Sequence, residues 1–97
     1  MSRTPLTREE ISATMSGLSG WELSANHGSI RKNFKFRDFN AAFAFMTRIA
    51  MAAEKLDHHP EWSNTYNKVE ITLTTHSAKG LTALDMRMAQ LINDYAG

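Results

Sequence analysis

The spacing of apolar residues along this chain switches between helical and strand-like periods, and each switch marks an element. Ile11, Met15 and Leu18 recur at helical steps. They follow a capping box, Thr7-Arg8-Glu9-Glu10, in which the Thr7 hydroxyl accepts from the Glu10 amide and Glu10 reaches back. Leu6 and Ile11 are spaced for the accompanying hydrophobic staple, and Gly17 and Gly20 end the element, so the first helix is predicted over 8–16. The period then drops to two. Ile30, Lys32, Phe34 and Phe36 share one parity, and Arg31, Asn33 and Lys35 the other. With Trp21-Glu22-Leu23-Ser24 extended and Asn26-His27-Gly28 forming a turn, 21–36 reads as a hairpin.

Asp38 is a candidate N-cap for the longest helical stripe: Phe39, Ala42, Phe43, Met46, Ile49, Ala50, Ala53 and Leu56. This central helix should end just before His58, because a residue preceding proline is pushed out of helical geometry. A second strand pair is predicted over 62–66 and 68–75, turning at Tyr66-Asn67, with Val69, Ile71 and Leu73 on one face. After Gly80, Thr82-Ala83-Leu84-Asp85 forms another capping box, with Leu81 and Met86 as its staple. Leu84, Met88, Leu91, Ile92 and Tyr95 then carry the last apolar face. The order helix, hairpin, helix, hairpin, helix predicts an α+β fold: one domain over 1–97, a four-stranded antiparallel sheet with three helices packed on one face.

Composition narrows the function. Eleven basic residues against ten acidic leave a formal charge of +1 with no long basic run, which argues against direct nucleic-acid binding. There is no cysteine, so disulfides and thiolate metal sites are excluded. The opening stretch from Met1 to Pro5 lacks the apolar core of a signal peptide, and no apolar run reaches membrane-spanning length. A cytoplasmic protein is expected. A 97-residue chain has a thin core, which favours assembly into a homo-oligomer.

Chemistry concentrates in Glu54-Lys55-Leu56-Asp57-His58-His59-Pro60-Glu61-Trp62. Two adjacent imidazoles follow the central helix, near its negative dipole end and beside Glu54, Asp57 and Glu61, where a positive ring is favoured. A third imidazole, His76, follows the last predicted strand. Histidine exchanges protons near neutrality, so His58, His59 and His76 are candidate general acids and bases. The plainer alternative is that one ring caps the helix and the other is solvated. Three imidazoles and a carboxylate could also hold zinc, but the helical His-Glu-x-x-His spacing is missing and adjacent rings seldom reach one ion. Trp62 either stacks on a flat heterocycle or fills the core. Asp85 has a sufficient role in its capping box, and Glu54 and Asp57 could be solvated helix charges. His27 is assigned no role.

The histidine block, with Tyr66-Asn67-Lys68-Val69, Ile71-Thr72-Leu73, Thr75-His76, Gly80-Leu81 and Asp85, closely resembles the pterin-4a-carbinolamine dehydratases. Phe34, Phe36, Asp38-Phe39-Asn40, Ala42-Phe43 and Phe45-Met46-Thr47-Arg48 fit the same pattern, so the resemblance runs from Leu6 almost to the end. It implies removal of water from a 4a-hydroxytetrahydropterin, giving the quinonoid dihydropterin that is recycled after aromatic amino-acid hydroxylation. It implies neither metal nor organic cofactor. His58, His59 and His76 are implied as catalytic. Asp57, Thr74 and Thr75, with Glu54, Trp62 and Asp85 around them, are implied as the rest of the pterin site. The chemistry of the residues fits a scheme with His58 and His76 as acids on either face of the pterin, and His59 holding the ring and assisting as base. The family also implies a homodimer or homotetramer. In some animal members it implies a homeodomain transcription factor as partner, which would allow a nuclear location. A pure binding module and a metal-dependent hydrolase are the competing classes.

Overall fold

A computed structural model describes residues 2–97; Met1 of the opening stretch lies outside them. The elements are α1 (Arg8–Met15), β1 (Glu22–Leu23), β2 (Ile30–Lys35), α2 (Phe39–Leu56), β3 (Glu61–Thr65), β4 (Lys68–Leu73), a short 3-10 turn at His76–Ala78, and α3 (Ala83–Ala96). All pairings are antiparallel and the strand order is β1-β2-β4-β3. The two hairpins therefore meet through β2 and β4, from Ile30 opposite Leu73 to Lys35 opposite Lys68. The α+β architecture read from the sequence is present.

Local chemistry explains the boundaries. Thr7 and Glu10 make the reciprocal bonds of the capping box at 3.1 and 2.8 Å. Asp38 caps α2 by accepting from the Ala41 amide at 2.8 Å. The far end of α2 stops in a Schellman motif, with Asp57 N–H donating to Glu54 O and His58 N–H to Ala53 O. Asp57 takes the left-handed conformation there, φ 52°, which aspartate tolerates better than most side chains.

One sheet face carries the core. Ile30, Phe34, Val69, Ile71 and Leu73 are buried, while Arg31, Asn33, Lys35 and Glu70 between them are exposed. Lys32 shares the inward parity yet keeps its charge satisfied. Its ammonium donates to Ser19 O and Asn93 Oδ1 and lies 4.9 Å from the Phe34 ring centre. Burial lowers its pKa from the usual 10.5.

The central helix departs from the predicted stripe. Ala42, Phe45, Ile49 and Ala53 face the sheet, whereas Phe39 and Phe43 are 47% and 55% exposed. The helix is apolar on more than one side, so periodicity alone does not fix its rotation. Packing decides it. Phe45 sits with its ring centre 4.9 Å from that of Phe34 and 4.8 Å from that of Phe36, a three-ring cluster unavailable to Phe43. The Phe45→Ala variant should lose about 3–5 kcal/mol, a large part of a typical total of about 5–15 kcal/mol. Urea unfolding measures this, and a loss under about 1 kcal/mol would contradict the assigned rotation.

Candidate functional site

The Schellman turn at Asp57 decides where the histidine pair points. By reversing the backbone immediately before His58, it sends that ring inward to 6% exposure and leaves His59 outside. His58 Nε2 lies 2.6 Å from Asp85 Oδ1. Asp85 is fully buried, and its other oxygen accepts from the Thr75 hydroxyl at 2.7 Å and the Thr82 amide at 2.9 Å. Thr75 and Thr82 hydroxyls also meet at 2.8 Å. Four polar residues from three parts of the fold thus close one buried network around a single carboxylate.

That carboxylate fixes the chemistry of the ring. Paired with an acceptor, His58 Nε2 carries a proton, which leaves Nδ1 as the working nitrogen. Nδ1 has no protein partner among the described residues. Among the described residues the one unpartnered side-chain nitrogen or oxygen sealed from solvent is His27 Nδ1, so His58 Nδ1 is not sealed off. A held ring with one free, accessible nitrogen is equipped to give or take a proton from a bound molecule.

Two further histidine–carboxylate pairs lie outside the core. His59 Nε2 is 2.6 Å from Glu54 Oε1, and His76 Nε2 is 3.4 Å from Glu61 Oε2. His76 follows Thr75 directly, so the chain that holds Asp85 also carries the third imidazole. An open cleft of about 410 Å³ is lined by His76, Glu61, Thr74, Lys79, Asn26 and Ser29. Thr74 closes its floor against the β1–β2 turn, donating to Gly28 O at 2.6 Å.

The structure separates the sequence candidates into groups. His58, Asp85 and Thr75 share the buried network; His76 and Thr74 line the cleft; Glu54 is engaged by His59. Trp62 is half-buried opposite Ile71 and packs against the core, as a strand tryptophan commonly does. Asp57 does not join either group. Its side chain is 90% exposed, 3.7 Å from Arg3, and its carbonyl accepts from Arg3 at 2.8 Å. It contributes the backbone turn. Thr82 and Glu61 were legible only as a helix cap and a nearby charge, and the Asn26–Ser29 wall carried no signal beyond its turn residues. No cluster of three or more His, Asp or Glu placed to hold a metal ion occurs among the described residues.

Residues 4–95 match the family described as Pterin 4 alpha carbinolamine dehydratase. This chain belongs to that family. It is 50% identical over 97 residues to a Mesorhizobium japonicum protein named "Putative pterin-4-alpha-carbinolamine dehydratase", covering 100% of this chain and 99% of that one. A Chelativorans protein of the same name is 53% identical over 96 residues, covering 99% and 98%. Among solved structures, the Brucella melitensis "transcriptional coactivator/pterin dehydratase" superposes with a TM-score of 0.93 at 48% identity, covering 97% of this chain and 100% of that one. A pterin dehydratase-like protein described as a RuBisCO assembly factor of the alpha-carboxysome shares the fold, with a TM-score of 0.71 at 23% identity over 80% of this chain and 90% of that one. The histidine block, His76 and Asp85 all lie inside the family match.

The buried carboxylate yields a prediction. In Asp85→Asn an amide nitrogen must face a donor, the Thr82 amide with the Thr75 hydroxyl or the His58 ring, so stability should fall by about 1–3 kcal/mol. His58 should also lose its fixed tautomer, read from the ring nitrogen shifts by ¹⁵N NMR. An unchanged tautomer would show that Asp85 does not orient the ring.

Proposed function

We propose that this protein dehydrates 4a-hydroxytetrahydropterins, with the Nδ1–H of a doubly protonated His58, held through Nε2 by Asp85, as the general acid. The observation that carries this reading is the Asp85–His58 bond at 2.6 Å, in a ring whose other nitrogen is unpartnered among the described residues and not sealed off. In the reaction the C4a–O bond breaks, the departing oxygen takes a proton to leave as water, and N5 loses its proton as C4a=N5 forms. One acid and one base suffice, and both can be imidazoles. The product is the quinonoid dihydropterin, so the protein would act in tetrahydrobiopterin recycling after aromatic hydroxylation.

His58 leaves α2 and His76 leaves β4, so the two rings approach from separate elements. Each is assigned the acid role for one face of the pterin. His59, restrained by Glu54, is assigned to hold the ring and accept the N5 proton, and the second oxygen of Glu54 suits the donor edge of a pterin. Thr74, Thr75 and Trp62 would shape the site, and Asp57 would act through the turn it imposes. No metal or organic cofactor enters this scheme.

The test uses the two separated 4a epimers and metal-free protein. His58→Ala and His76→Ala, each checked for folding by circular dichroism, should each slow a different epimer. The full loss of one acid is about a hundred- to ten-thousand-fold, with the spontaneous rate as a floor. His59→Ala should slow both. Equal losses on both epimers for His58→Ala and His76→Ala would remove the two-acid scheme. Wild-type turnover at only the spontaneous rate would remove the dehydratase reading.

Assembly is the second part of the proposal. Phe39, Phe43 and Met51 leave an apolar surface along α2, with Met51 71% exposed, and a helix apolar on two sides is normally covered on both. The occupant proposed is α2 of a second copy, giving a homodimer or homotetramer. A homeodomain-type transcription factor is the alternative occupant of that surface. No helix is long and apolar enough to cross a membrane among the described residues, and a cytoplasmic site of action fits the substrate. Light scattering at micromolar concentration should show an oligomer, and Phe43→Glu should lower the mass with the circular dichroism unchanged. A wild-type monomer throughout that range would overturn the assembly.

A further inference from the structure

The segment ahead of α1 holds both halves of the buried His58–Asp85 pair through the backbone. The peptide unit joining Asp57 to His58 is gripped at both edges. Its N–H, on His58, donates to Ala53 O at 3.0 Å, and its carbonyl, on Asp57, accepts from Arg3 Nη2 at 2.8 Å. The peptide unit joining Leu81 to Thr82 is gripped in the same way. Its N–H, on Thr82, donates to Asp85 Oδ2 at 2.9 Å, and its carbonyl, on Leu81, accepts from the Leu6 N–H at 2.9 Å. Accepting a bond at a carbonyl polarises the N–H of the same peptide and strengthens what it donates. One short segment thus braces the peptide that aims His58 and the peptide that binds Asp85.

The link between the two grips is stiff. The ring of Pro5 locks its own φ and restricts Thr4 to extended conformations. The Thr4 amide donates to Ser2 Oγ at 3.0 Å, and the Ser2 hydroxyl to Thr4 Oγ1 at 2.8 Å. On the other side Leu6 packs against the core, and Thr7 opens the capping box of α1. The Arg3 contact with the Asp57 carboxylate, at 3.7 Å, is an exposed pair of little energy. The bond to the Asp57 carbonyl matters more. A peptide held at one edge can tilt, and a tilt immediately before His58 swings its ring away from a set position. Proton transfer is sensitive to that, since a displacement of about 1 Å can cost a hundredfold in rate.

We infer that residues 3–6 form a clasp on the His58–Asp85 pair, and that Arg3 is a positioning residue for the His58 acid. This rests on the dehydratase reading for what His58 does, and on bonds within the chain for how it is held.

The test compares Arg3→Ala with the wild type and with Arg8→Ala, which removes an equal charge from an exposed position on α1. Hydrogen exchange followed by NMR should show the His58 amide exchanging about tenfold or more faster in Arg3→Ala, with the amides of β2 and β4 unchanged. On whichever 4a epimer His58→Ala slows, kcat above the spontaneous rate should fall about threefold to thirtyfold, with KM within about twofold. Placed in a His58→Ala background, Arg3→Ala should add nothing, because a residue acting through His58 has nothing left to act on. Pro5→Gly keeps both bonding groups and loosens the link, so it should show the same pattern at smaller size. Arg8→Ala should match the wild type in every readout.

An unchanged His58 amide in Arg3→Ala, or the same changes in Arg8→Ala, would overturn the clasp. A loss confined to KM, or one that recurs in full in the His58→Ala background, would overturn Arg3 as a positioning residue, since it would then act on the substrate directly. Wild-type turnover at only the spontaneous rate would remove the dehydratase reading. Exchange at the His58 amide then decides the clasp alone.

Discussion

One buried carboxylate holds the functional end of this fold together. Asp85 is fully excluded from solvent, and an ionised carboxylate in that position is tolerated only when its lone pairs are filled. Here they are filled by the Thr82 amide, the Thr75 hydroxyl and the His58 ring. Asp85 also lies in the first turn of α3, where the helix dipole favours negative charge. The donors come from the start of α3, the segment after β4 and the segment after α2. Three chain segments that share no local sequence must therefore converge for the charge to be stable. Any loosening at one of them leaves a buried anion short of a partner, which ties the precision of the site to the stability of the core.

Much of this was readable in the residues. Thr7 with Glu10, Asp38, and Thr82 with Asp85 announce helix starts through bonds made within three residues, and such signals survive without tertiary context. The alternation in 30–36 and 68–73 likewise determines which side of each strand is buried, lysine included. The rotation of α2 was not readable, because its apolar residues occupy more than one face and the choice between Phe43 and Phe45 belongs to Phe34 and Phe36. The pairing of β2 with β4 was also out of reach, since it joins segments separated by the whole of α2. Local patterns specify elements; long-range packing specifies their phase.

The site divides along the same line. The three histidines stand out as residue types at their positions, and the family resemblance names them. Their inequality does not show in the sequence. His58 and His59 are neighbours, yet a single left-handed residue before them sends one ring to 6% exposure and leaves the other 54% exposed. Asp57 stands out in the sequence by its charge, and the fold also uses its tolerance for φ 52°. Asp85 looked like a helix cap, and it is one, but its second oxygen does the more consequential work.

This inequality suits a proton-transfer reaction on a small heterocycle. A ring fixed through Nε2 by a buried carboxylate presents Nδ1 at a set angle with little reorganisation, which is where positional precision is gained. His59 and His76 are held by exposed carboxylates instead, at 2.6 and 3.4 Å, on segments that a ligand can adjust. An exposed pair contributes little to stability, so His76 can exchange Glu61 for a substrate at small cost. His58 cannot make that exchange without stranding Asp85. The fold therefore supplies one fixed imidazole and two adaptable ones, with the adaptable pair on segments outside the core network.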